Sequence, residues 1–192
     1  ISEYVQWIDE HKAHLNFNTE TARQQFESSY PFHPAVLSLF ERKWQALPRF
    51  QQTRGVLRLL ALWVAKAYND GYKRLTKDGL ITLGTAPLED ANFRAAVFEQ
   101  LGENRLEAAV TTDIAGRDDS HSIRLDNEAI DAIKKARLHK KCATTIFFES
   151  NGGQTAQGLA TLPEIKLSVG DPDLDIGLVD GAIQSLLDGC YY

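Results

Sequence analysis

The amino-acid sequence predicts a mainly α protein, built as two helical parts with a connector between them. Two observations carry this expectation. Apolar residues recur at helical spacing through most long windows of the 192-residue chain. Proline and glycine fall between those windows, where helices start and stop.

Taken in order, Tyr4, Val5, Ile8 and Leu15 define a first helix within residues 2–15. A second short helix covers 19–29, with Asn18 or Thr19 as its cap. "YPFHP" then breaks the chain. Pro31 and Pro34 force an extended turn, and Pro34 opens a third helix over about 34–46 bearing Val36, Leu37, Leu39, Phe40 and Trp44. Pro48 ends it, and a fourth helix runs from Thr53 to Asp70, stopped by Gly71. "GLITLGTAPLED" reads as an extended segment or loop. "EDANFRAAVFEQLG" is a helix ending at Gly102, and "NRLEAAVTTDIAG" another ending near Gly116. After the polar connector "RDDSHSIRLD", a long helix is expected from Asn127 to Ser150, with Ile130, Ile133, Leu138, Cys142 and Ile146 on its apolar side; Thr144 to Phe148 also suit a strand end. "SNGGQTAQG" is a turn, and helices at 159–169 and 174–190 close the chain. The expected organisation is a helical bundle over 1–75, a connector with short helices over 76–126, and a three-helix unit over 127–192.

Composition bounds the function classes. Hydrophobic residues make up 43% and charged residues 24%, as in ordinary globular chains. No apolar run approaches the roughly 20 residues that span a bilayer, and the opening "ISEYVQWIDEHK" is charged from its third residue, unlike a signal peptide. Cys142 and Cys190 form no CxxC pair, which points to a reducing, cytoplasmic setting. The lack of methionine and the abrupt end at "LLDGCYY" suggest a piece of a longer protein. The net charge of -5 lies wholly in residues 151–192, which hold six acids against the single base Lys166. That segment is poorly suited to a phosphate backbone, so DNA binding is not expected of it.

One stretch carries a possible chemistry. "RFQQTRGVLRLLALWVAKAY" is apolar nearly all round from Val56 to Tyr68, as a buried helix is, yet Arg54 and Arg58 sit four residues apart at its start. Arginine is costly to bury without an anion. The partner is either a carboxylate of this chain or the phosphate of a ligand, and Gly55 permits close backbone approach beside it. The basic run "KKARLHKK" spreads its charges over most of a helix circumference and reads as a solvated face. His11 and His14 lack the further ligands of a metal site. His33 is a turn residue, His139 and Cys142 share only a helix face, and Ser120, His121, Asp118 and Asp119 are too close in sequence for a triad. The chain shows no catalytic set and no metal site of its own.

The motif "GVLRLL" resembles the sensor-2 sequence of AAA+ ATPases, in which a Gly-x-x-Arg at the start of a lid helix places arginine near the ATP γ-phosphate. The wider stretch "YPFHPAVLSLFERKWQALPRFQQTRGVLRLLA", with "ARLHKKCATTIFFESNGG" and "LPEIKLSVGDPDLDIG", resembles a group of large AAA+-type ATPases of undefined function. These are often encoded beside DNA methyltransferases in bacterial and archaeal phage-defence loci. The resemblance spans nearly the whole chain. It implies that residues 1–75 are an AAA+ lid-like bundle and 127–192 a winged-helix-like unit cut before its wing; because its last helix carries Asp175, Asp180 and Asp188 and no Lys or Arg, that unit reads as a packing module more than a DNA reader. It also implies that Gly55 and Arg58 are the nucleotide-sensing positions, with Arg54 beside them. ATP and Mg²⁺ would be bound by an upstream ATPase core of the same protein, and a DNA methyltransferase or another defence-locus protein would be a partner. No G-x-x-x-x-G-K-[ST] occurs in this chain, so it is not expected to turn over ATP alone. The alternative is a stand-alone helical interaction module with Arg54 and Arg58 in structural ion pairs.

Overall fold

The computed structural model describes residues 1–51, 53–73, 78–103, 105–152 and 158–190. Among them the chain forms eleven α-helices and no β-strand. Helices α1 (Ser2–Glu10), α2 (Ala22–Ser29) and α3 (Pro34–Arg42) lead to the 19-residue α4 (Arg54–Tyr72). Next come α5 (Ala91–Leu101) and α6 (Leu106–Ala109), which passes into a π-helical turn, Val110–Ala115. Then follow α7 (His121–Glu128), α8 (Asp131–Ala136), α9 (Leu138–Ser150), α10 (Leu162–Val169) and α11 (Gly177–Gly189). The boundary expected at residues 75/76 and most of the turn at 150–158 lie outside the described residues.

Several ends follow local chemistry. Pro34 occupies the first turn of α3, and the preceding His33 caps it: its ring Nδ1 accepts from the Ala35 N–H at 3.1 Å. Asp90 caps α5 by accepting from the Phe93 N–H. Gly102, at φ 71°, closes α5 in the left-handed conformation that glycine adopts without cost. Thr161 and Glu164 form a reciprocal capping box at the start of α10.

Other ends correct the sequence reading. The cap of α2 falls on Thr21, and Asn18 instead accepts from the Glu20 N–H in a tight bend. Gly71 does not stop α4, which continues to Tyr72. The single helix expected over 127–150 is mainly two, α8 and α9, which part at Arg137, and the stretch expected as a polar connector before it instead forms most of α7, which ends where the chain turns at Ala129–Ile130. Arg137 is a non-glycine residue at φ 53°, a conformation that costs energy and needs tertiary support. Asp78 supplies it. Its carboxylate accepts from the Arg137 guanidinium and, at 2.7 Å, from Lys141. Burial would push Asp78 up, but these two cations outweigh it and hold the carboxyl below its usual range.

Three apolar clusters hold the fold. The largest joins α3, α4, α5, the π-helical turn and α9 around Trp44, Trp63, Phe93 and Phe148, and so draws on residues from 32 to 148. The Trp63 ring stands edge-on to Phe93 at 5.3 Å and stacks on Phe148 at 5.8 Å. A second cluster packs Tyr4, Trp7 and Ile8 of α1 on Phe26 and Ala35. A third, with Leu138, Cys142, Ile165, Val169, Val179 and Leu186, binds α9, α10 and α11. Because Phe147 and Phe148 sit in the first cluster and Leu138 and Cys142 in the third, α9 is shared by both. The segment 80–88 is non-helical apart from a single turn, Leu83–Thr85, and pairs with the "YPFHP" segment: the His33 N–H donates to Ile81 O, and the Ile81 N–H to Pro31 O.

Candidate functional site

The start of α4 is the candidate site. This helix buries only one stripe, Gly55, Leu59 and Trp63, spaced four residues apart. The expectation of a helix buried all round is therefore corrected. Leu57, Val64, Tyr68 and Tyr72 are exposed at 61%, 37%, 71% and 80%, with Ala61 and Ala65 exposed among them. Arg54 and Arg58 lie at the N-terminal end of this open face, and both are exposed. The face thus runs from two cations, past two alanines, to the Tyr68–Tyr72 pair, whose rings stack at 6.4 Å.

Gly55 is required by α5. A Cβ at this position would lie 2.4 Å from Oε1 of Gln100, which is itself buried. That Oε1 accepts from the Gln51 N–H at 2.8 Å, so the glutamine fills the notch left by glycine and satisfies a backbone donor ahead of α4. The next residue back along α5, Glu99, meets Arg58 with Nη1 at 2.7 Å from Oε2. The two side chains are 56% and 51% exposed. A pair this open contributes about 0–1 kcal/mol, so Arg58 is not a buried structural charge. Among the described residues no carboxylate pairs with Arg54.

Several charged residues elsewhere carry structure. Lys43 is buried and bonds Glu149 Oε2 at 2.7 Å, the Glu149 carbonyl at 3.0 Å and Glu164 at 3.2 Å. Burial pushes the Glu149 carboxyl up. Glu164 goes the other way: burial opposes the shift, but the Thr161 hydrogen bonds and Lys43 hold it low. The basic run is not a free solvated face throughout, since Arg137 and Lys141 clamp Asp78 and Lys140 pairs with Glu89. A cleft of about 310 Å³ beside them is lined by Lys66, Asp78, Glu89 and Tyr68, and Lys66 is in turn paired with Asp70.

Two histidines pair with carboxylates 8 and 13 residues back along the chain. His121 bonds Asp113 in the π-helical turn at 2.7 Å, and His139 bonds Asp126 at 2.9 Å. Ser120 is committed to its own turn: its Oγ accepts from the Gly116 and Arg117 N–H groups and donates to Thr111 O. Burial pushes the Cys142 thiol up to about 12, leaving no thiolate at neutral pH. Among the described residues no three metal-ligating side chains converge, and no helix is long and apolar enough to cross a membrane.

The structure thus sets Arg54 and Arg58 together on the open face of α4, while Gly55 lies in the buried stripe against Gln100. Glu99 and Gln100, which complete the site, were missed by sequence reasoning. They lie 41 and 49 residues from the atoms they bond, and neither belongs to a motif.

No curated protein and no solved structure matches the chain. Residues 6–175 match the model of a family described as the DUF499 second domain. The match covers most of the sequence, and the chain belongs to that family, a domain of unknown function.

Proposed function

We propose that this domain is the lid and winged-helix-like portion of an AAA+-type ATPase, with Arg58 as its nucleotide-sensing arginine. The family's description as a second domain supports a preceding domain in the same protein, and in this reading that neighbour holds ATP and Mg²⁺. The observation that carries the proposal is the open face of α4. A helix that leaves Leu57, Val64, Tyr68 and Tyr72 in solvent has an apolar surface suited to a partner, and Arg54 and Arg58 stand at one end of it. Docked on that face, the arginines reach the phosphate end of a nucleotide while the alanines and tyrosines pack against the neighbouring domain. Guanidinium groups suit this role because they are always charged and match phosphate oxygens bidentately. Among the described residues no three metal-ligating side chains converge, and this reading assigns the magnesium ion to the neighbour.

Coupling follows from α9. It is rooted in both the lid core and the third cluster, so a rotation of α4 and its core moves α10 and α11 as well. Those helices carry Glu164, Asp180 and Asp188 against the single base Lys166, which Asp180 already occupies at 2.9 Å. Their partner is therefore assigned as a protein, such as a methyltransferase or another defence-locus component, and not duplex DNA.

The test is Arg58→Ala in the full-length protein. Removing a phosphate-directed arginine lowers ATP turnover on the order of 10³-fold. Because the Glu99 pair is exposed, the melting temperature stays nearly unchanged. Turnover unaffected by the substitution refutes the sensing role and favours an interaction module in which Arg58 makes only the Glu99 pair.

A further inference from the structure

We infer that Glu99 is the resting partner of Arg58 and competes with nucleotide phosphate for it, so that α5 tunes the affinity of the site; this rests on the lid reading above. The geometry of α5 makes Glu99 a defined competitor. Helix α5 is capped at Asp90 and closed by Gly102, and its Gln100 is keyed into the notch at Gly55 while bonding the Gln51 N–H. With Gln100 fixed, α5 cannot slide along α4, and Glu99 is held opposite Arg58. Their hydrogen bond is single, Nη1 to Oε2 at 2.7 Å, and half open to water.

An exposed one-point pair of this kind is strong enough to orient a guanidinium and weak enough to be released. A polyphosphate offers more charge and two-point hydrogen bonding, so it displaces the carboxylate. Release of Arg58 is then part of the cost of binding. Arg54, one turn earlier on the same face, has no carboxylate partner among the described residues and carries no such cost. Glu99 touches neither nucleotide nor reacting atoms. It is a positioning residue that acts through Arg58.

The experiment uses the full-length protein and a fluorescent ATP analogue with Mg²⁺. Dissociation constants and ATP turnover are measured for the wild type, Glu99→Gln, Arg58→Ala and the double variant. Glu99→Gln keeps the shape of the side chain and removes its charge. It is expected to tighten nucleotide binding about two- to fivefold, the range an exposed ion pair supplies, and the gain is expected to vanish in the Arg58→Ala background. Unchanged affinity in Glu99→Gln, with turnover still lost in Arg58→Ala, overturns the competition and leaves the lid reading standing. Tightening that persists without Arg58 also overturns it, because the carboxylate then acts as a general repulsive charge. If Arg58→Ala changes neither affinity nor turnover, the lid reading itself has failed.

Discussion

His33 makes the stability of this domain depend on pH in a calculable way. Its ring is fully buried, stands edge-on to Phe26 at 4.9 Å, and uses Nδ1 as an acceptor for the Ala35 N–H. Burial lowers its pKa to about 3, so the native ring stays neutral in mildly acidic solution. In the unfolded chain it takes up a proton below about pH 6.5. Between these values the unfolded state binds more protons, and stability falls as pH falls. The linkage relation gives a loss of about 2 kcal/mol between pH 7 and pH 5 from this residue alone. His33→Asn keeps an oxygen acceptor of the kind favoured at helix N-caps but does not titrate. Urea unfolding of both proteins at pH 7 and pH 5 isolates the effect, since the other titrating groups are common to the two. The wild type is expected to lose about 2 kcal/mol more than the variant over that interval. Equal losses would refute the reasoning and mean that His33 is protonated, or reached by water, in the native state.

Two further substitutions test the packing of the site and the main buried charge. Gly55→Ala places a methyl group against Gln100 and forces it off the Gln51 N–H. A loss of about 1–3 kcal/mol is expected in urea unfolding, partly recovered when Gln100→Ala is added; no loss would show that the notch is loose. Lys43→Met leaves Glu149 buried without its closest cation and should cost about 3–5 kcal/mol, measured by thermal and urea unfolding. Adding Glu149→Leu removes the stranded carboxyl and should restore most of that loss. A double variant as unstable as the single one would mean that the cost comes from Lys43 contacts other than Glu149.

Much of the helical outline is local and therefore readable in the sequence. Pro34 begins α3 because its fixed φ suits a first turn, and Gly102 ends α5 because glycine takes the left-handed conformation freely. The non-helical character of "GLITLGTAPLED" follows from its glycines and proline. The pairing of Gly55 and Arg58 at the head of a long apolar helix was also legible, because it depends only on spacing. Where that helix faces was not. Its composition is apolar nearly all round, so periodicity cannot say which stripe meets the core. The buried side was chosen by Trp63 packing on Phe93 and Phe148, which come from two other helices.

The remaining decisions were made by residues far apart in the chain. Arg137 interrupts what reads as one continuous helix because Asp78, 59 residues earlier, fixes its side chain where the backbone turns left-handed. His33 appears in the sequence as a turn residue, and only the enclosing Phe26 makes it a buried neutral cap. Lys43 and Glu149 look like ordinary surface charges until they are folded against each other. Local sequence sets where the backbone can start, stop or bend, because those limits are steric and act within a few residues. Which charges are buried, which arginine is held by which carboxylate, and which face of α4 stays open depend on contacts between helices distant in sequence, and these arise only when the chain packs.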